Sequence, residues 1–220
     1  MIRVSLAEEP PEFDSNVRQP GLDAIRELVG QKPNARRTGP KRKKVARRPQ
    51  DIPARLLPPF WRNALPWMCE SYQRICAYLA LYIEPVTGSA TIDHFVPISQ
   101  DRELTYEWSN YRLACSLINA RKGTARVLDP FDIQDDWFAL ELVTYQVVPG
   151  PGAPGASVMQ VEETIEILRL NDIECCTARE EYVEAYFDEH AGIPLSYLER
   201  RAPFVARELR RQRRLRDGDN

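Results

Sequence analysis

The 220-residue chain contains two histidines, and one of them follows a carboxylate in Thr91-Ile-Asp-His-Phe-Val-Pro97. Sixteen residues after His94 comes Asn110, within Tyr106-Glu-Trp-Ser-Asn-Tyr-Arg-Leu-Ala-Cys115. Nine residues further on comes Asn119, within Ser116-Leu-Ile-Asn-Ala-Arg-Lys-Gly123. Asp93 and Asn119 supply two hard oxygen donors. Such a partial shell suits Mg²⁺, which keeps several waters and completes its coordination with substrate phosphate; Mn²⁺ accepts the same ligands. A cation held there stabilises charge on a phosphate and on its leaving oxygen. His94, neutral near pH 7, can take a proton from an attacking water.

Positioning these residues requires a particular order of elements. Residues 90–96 read as a strand, 110–114 as a second strand, and 115–122 as a helix that ends near Gly123. Successive strand residues point to opposite faces, so Asp93 and His94 reach one site only where the strand ends or bulges. A break in pairing at 93–95 is therefore expected. Upstream, Met68, Tyr72, Ile75 and Leu79 recur at helical spacing, which predicts a helix across 60–83 with Pro66 near its first turn. Trp61, Trp67, Tyr78 and Trp108 read as packing. Residues 1–20 read as extended, 21–30 as a short helix, and 31–50, broken by Pro33, Gly39, Pro40 and Pro49, as a linker. Downstream, 138–148 has strand character and 149–155 is a Pro/Gly hairpin or linker. Helices are expected at 161–170, 178–190 and 203–216. Glu162, Glu163 and Glu166 read as a solvated helix face, and His190 as a surface residue. Cys175 and Cys176 have no neighbours suggesting nucleophilic work.

Asp-His with a following Pro, a central Trp-x-Asn and a terminal Asn-x-x-Lys-Gly resemble the HNH endonuclease motif, in its Asp-His…Asn…Asn version, over residues 70–130. The wider string is similar to stand-alone bacterial HNH proteins, some of them in anti-phage defence modules. The resemblance implies an α+β fold: a ββα-metal core embedded in a mostly helical protein with a flexible basic N-terminal arm. The implied segments are 1–50 (N-terminal region with the arm), 51–150 (nuclease domain) and 151–220 (helical C-terminal region with an Arg-rich tail). It further implies His94 as general base, Asp93 and Asn119 as ligands of Mg²⁺ or Mn²⁺, and Asn110 as the residue that fixes the loop near His94. Lys122 would meet a phosphate, with Arg121 beside it on the nucleic acid. The products would carry a 5′-phosphate and a 3′-hydroxyl. Many HNH proteins clamp a structural zinc with two Cys-x-x-Cys pairs. Here Cys69 and Cys76 have six residues between them, Ile118 occupies the position that would pair with Cys115, and Cys175-Cys176 is adjacent. No structural zinc is expected, and packing by the 60–83 helix is expected in its place.

Charge adds a partner class. The net charge of −2 conceals nine Lys/Arg and no acid in 32–48, and eight Arg against three acids in 200–220. The intervening 49–199 carries ten Lys/Arg against 23 acids. Basic arms attract polyanions by counterion release, which makes Lys41, Arg42, Lys43, Lys44, Arg47 and Arg48 candidate DNA contacts. The acidic stretch 156–190 is a candidate partner-binding or autoinhibitory surface, and the resemblance implies an ATPase of a defence module as a candidate partner. The longest apolar run, nine residues from Ile75 to Ile83, is too short to cross a bilayer, and the opening residues show no secretory signal. Five cysteines without regular spacing suit a reducing cytoplasm. Two function classes stay open: a DNA endonuclease, and a catalytically silent nucleic-acid-binding or partner-regulated subunit that keeps the fold.

Overall fold

The computed structural model describes residues 1–35 and 40–219. These residues form an α+β protein with seven α-helices and two small two-stranded sheets. No helix is long and apolar enough to cross a membrane. Two compact units are interleaved along the chain. One comprises Leu6–Tyr72 and Thr91–Leu113; the other comprises Met1–Ser5, Gln73–Ala90 and the chain from Ala114 onward. The consecutive segments 1–50, 51–150 and 151–220 do not coincide with these units.

The first unit opens with a correction. Residues 1–20 are not extended throughout: a π-turn at Asp14–Arg18 runs straight into helix α1, Gln19–Leu28. Pro20 stands in the first turn of α1, directly after the π-turn. α1 buries Ala24, Ile25 and Leu28. Gly21 is required at its place, since a Cβ there would lie 2.2 Å from the Tyr106 ring. Phe13 and Val17 complete this core with Trp108 and Tyr111. The Phe13 ring meets Trp108 edge-on at 5.5 Å and Tyr111 at 5.8 Å.

The basic stretch after α1 is not a free linker. Asp23 accepts from the amides of Asn34 and Ala35 at 2.7 and 3.0 Å, and the Val45 amide donates to the Leu28 carbonyl at 2.8 Å. Its described ends are thus laid against α1. Arg36 and Arg37 lie outside the described residues.

The helix expected over 60–83 is cut short. A 3₁₀ stretch at Phe60–Ala64 leads into α2, Leu65–Ser71, with Pro66 in its first turn. Gln73 and Arg74 then take positive φ values of 49° and 59°, which no helix accommodates. Ile75 instead bridges Tyr82 in an antiparallel hairpin, with Cys76 donating to the Leu81 carbonyl at 2.9 Å. Strand β1 covers Ala90–His94 and strand β2 covers Tyr111–Cys115, and the two form one sheet.

Helix α3, Ser116–Lys122, follows β2 without an intervening residue and stops at Gly123, whose φ is 51°. In this second unit α3 packs on α4, Gly155–Leu168. The expected strand at 138–148 is two strands, β3 (Phe138–Leu140) and β4 (Val147–Pro149), paired antiparallel. Glu141 makes the turn between them by accepting from the amides of Val143 and Thr144 and from the Thr144 hydroxyl. Helices α5 (Ile173–Phe187), α6 (Leu195–Arg201) and α7 (Pro203–Arg211) complete the unit. The buried Glu208 of α7 accepts from Arg211 at 2.7 Å and from the Leu140 amide at 3.0 Å.

Candidate active site

His94 is the last residue of β1, and the chain bends at Phe95 and Val96. The expected break in the strand therefore falls at the downstream edge of 93–95, and both Asp93 and His94 belong to the strand. Asp93 is 2% exposed and His94 9%. Alternation sends the two side chains to opposite faces, so any ion shared by them has to sit at the strand's end.

Three neighbours fix the imidazole. The Trp61 and Tyr111 rings lie edge-to-face with it, at centroid distances of 5.1 and 5.2 Å. Its Nε2 lies 2.9 Å from the Thr105 carbonyl oxygen. A carbonyl can only accept, so Nε2 carries a proton, and whenever the ring is neutral its lone pair lies at Nδ1. The same carbonyl accepts from the Tyr111 hydroxyl at 2.9 Å, which occupies its second lone pair. Burial pushes the Tyr111 hydroxyl well above its ordinary range, so it stays a donor. The Thr105 Oγ1 is itself buried without a hydrogen-bond partner.

Asn110 secures the loop that carries Thr105. Its Oδ1 accepts from the Val96 amide at 2.8 Å, and its Nδ2 donates to the carbonyls of Val96 and Leu104, both at 3.1 Å. The side-chain amide thus pairs with Val96 as a strand peptide would, one step beyond the Phe95 N–H bond to the Asn110 carbonyl. Arg112, 3% exposed, braces the same corner: its guanidinium lies 4.9 Å from the Phe95 ring centroid and donates to the carbonyls of Ser109 and Tyr111. Thr105, Tyr111 and Arg112 were not singled out by their sequence. A backbone carbonyl that orients a histidine leaves no signature in residue type.

The other expected residues divide. Lys41, Lys43, Lys44 and Arg47 are exposed in the same unit as His94. Arg42 is bound to the buried Glu27 carboxylate at 2.8 Å, and the exposed Arg48 pairs with Asp51 at 2.9 Å. Asn119, Arg121 and Lys122 stand on α3, in the other unit. Arg121, expected as a nucleic-acid contact, donates to Asp172 at 2.8 Å, to Glu174 at 3.2 Å and to the Arg169 carbonyl at 3.1 Å. Two carboxylates satisfy that guanidinium, which ties α3 to the start of α5. Lys122 is 1% exposed, so it is not a surface cation facing a duplex.

Among the described residues no group of three or more His, Cys, Asp and Glu side chains is arranged to hold a metal. The donor set read from the sequence is of another kind: one carboxylate, one amide oxygen, water and phosphate. A buried carboxylate at a strand's end fits a hard divalent cation by its chemistry. No protein-family model matches the chain, and no curated protein matches it.

Proposed function

We propose that the chain is an HNH-type endonuclease that hydrolyses DNA phosphodiester bonds with one divalent cation, Mg²⁺ or Mn²⁺. One observation carries the reading. The His94 ring is clamped between Trp61 and Tyr111 with Nε2 held on the Thr105 carbonyl, which fixes the ring's orientation and, in its neutral form, assigns the lone pair to Nδ1. A histidine oriented in this way takes a proton from water, with the carbonyl steadying the imidazolium that forms. Asn110 acts through that loop as a positioning residue. Asp93 would hold the cation. When bound, the cation supplies charge stabilisation at the phosphate and the leaving oxygen. The exposed Lys41, Lys43, Lys44 and Arg47 supply sequence-independent attraction for the phosphate backbone. A protein partner of a defence module belongs to this reading as its regulator.

The test is nicking of a supercoiled plasmid by the full chain with Mg²⁺ or Mn²⁺, comparing wild type with His94→Ala after circular dichroism has shown both folded. Removing a general base is expected to slow nicking by about 10²–10⁴-fold, and chelation of the metal is expected to abolish it. Equal nicking by both proteins would exclude His94 as the base. Binding of DNA without nicking by either would favour the silent binding subunit.

A further inference from the structure

We propose that Cys76 and Cys115 form a peroxide-oxidisable thiol pair, a modification site that closes reversibly to a disulfide. This inference is independent of the nuclease reading and rests on the second unit alone, to which both cysteines belong. The two thiols line one cleft and act on each other's protonation there. Each is held by local structure. Cys76 lies in the Ile75–Tyr82 hairpin, where its amide donates to Leu81 at 2.9 Å and its carbonyl accepts from Ala80 at 2.8 Å. Cys115 ends β2 and is the residue from which α3 starts.

The pair is chemically asymmetric. Cys76 is 1% exposed, and burial, with Cys115 beside it, pushes its thiol well above the usual range. Cys115 is half-buried, and the hydrogen bond from Cys76, helped by the amides of Leu117 and Ile118, brings its thiol down to about 6. The negative charge is therefore favoured on Cys115 and the proton on Cys76. Both line a cleft of about 240 Å³ with Leu79, Tyr82 and Glu84, which opens to solvent and is roomy enough for a peroxide. The remaining cysteines lack this combination. Cys175 and Cys176 are adjacent in sequence and burial raises both, while Cys69 lies in the other unit.

The step balances with hydrogen peroxide as oxidant. The Cys115 thiolate attacks one peroxide oxygen, the O–O bond breaks, hydroxide leaves, and Cys115 becomes a sulfenic acid. The Cys76 sulfur then attacks the Cys115 sulfur, and the S–O bond breaks. The Cys76 proton leaves with the departing hydroxide as water. Two electrons pass from the two sulfurs to the peroxide. The new bond closes a loop of about 40 residues that contains β1, Asp93, His94 and Asn110. On the loop-entropy scale, for a chain this size, that raises Tm by about 8 °C.

The experiment treats the reduced full chain with hydrogen peroxide at pH 7, blocks residual thiols by alkylation, and maps the peptides by mass spectrometry. The expected result is a Cys76–Cys115 linked peptide with Cys69, Cys175 and Cys176 alkylated, and a Tm increase reversed by dithiothreitol. In Cys76→Ser, Cys115 is expected to stop at the sulfenic acid and be captured by dimedone. Wild type decides the matter even if that variant does not fold. Recovery of all five cysteines alkylated after peroxide, or a first cross-link through any other cysteine, overturns the proposal.

Discussion

Replacing Asn110 with alanine tests the loop clamp at the point where its geometry is most explicit. The substitution removes three side-chain hydrogen bonds, one from the Val96 amide and two to the carbonyls of Val96 and Leu104. These groups are partly buried, so water compensates in part, and a net cost of about 1 kcal/mol per bond gives about 3 kcal/mol in all. At about 2–4 °C per kcal/mol for a chain of this length, Tm should fall by about 6–12 °C. Hydrogen exchange supplies an internal control. The Val96 amide loses its acceptor and should lose protection, whereas the Phe95 amide bonds to the main-chain carbonyl of residue 110 and should keep it. A stability loss below about 1 kcal/mol, or equal loss of protection at both amides, would refute the clamp. Asn110→Asp keeps the bond from Val96 but sets a carboxylate against two carbonyls, and should be no better tolerated than alanine.

Other outcomes follow from the same contacts. Thr105→Val removes a buried hydroxyl that has no partner while leaving the carbonyl that holds His94, so chemical denaturation should show stability unchanged or raised by about 1 kcal/mol. A combined Lys41→Gln, Lys43→Gln, Lys44→Gln, Arg47→Gln variant should bind DNA with a slope of log K against log salt shallower by up to about 3.6, and an unchanged slope would remove these side chains from the DNA contact. Burial pushes the Glu208 carboxyl up, but the hydrogen bonds from Arg211 and the Leu140 amide, with the charge of Arg207, outweigh it and hold the group below the ordinary 4.5. The unfolded chain therefore takes up that proton first. Stability contributed by Glu208 is present above pH 4.5 and lost as pH falls through the lowered value, so urea titrations of Glu208→Gln should show a lower plateau near neutrality and a flatter acid limb.

What could be read from the sequence was local. The strand, loop, strand, helix order across 90–122 rests on short-range signals, a β-rich run and a glycine at a helix end, and the structure has that order. The Met68–Leu79 stripe misled because two residues of positive φ interrupt it, and Ile75 faces Tyr82 across a hairpin rather than a neighbouring helical turn. The prolines at 10 and 11 hid a helix that begins at Asp14. Charge counting could not foresee that Glu27 claims Arg42, or that Arg121 meets acids 51 and 53 residues away in sequence. At the site, residue types marked Asp93, His94 and Asn110, but the orientation of His94 depends on a main-chain oxygen any residue could offer.

The Trp108 indole donates to the Ala7 carbonyl across 101 positions of sequence, at 2.9 Å, and the Phe13 ring lies against residues 108 and 111. A nascent chain emerging from a ribosome cannot close that hydrophobic knot until residue 113 has cleared the exit tunnel. Closure over so many positions slows assembly, and it leaves the early helix exposed to chaperones during synthesis. An excised fragment spanning 51–150 would lack Phe13 and Val17 and should not sustain the scaffold around His94. Mixed in solution, two complementary fragments split within 73–90, the stretch that separates Leu6–Tyr72 from Thr91–Leu113, are the better route to reconstitution.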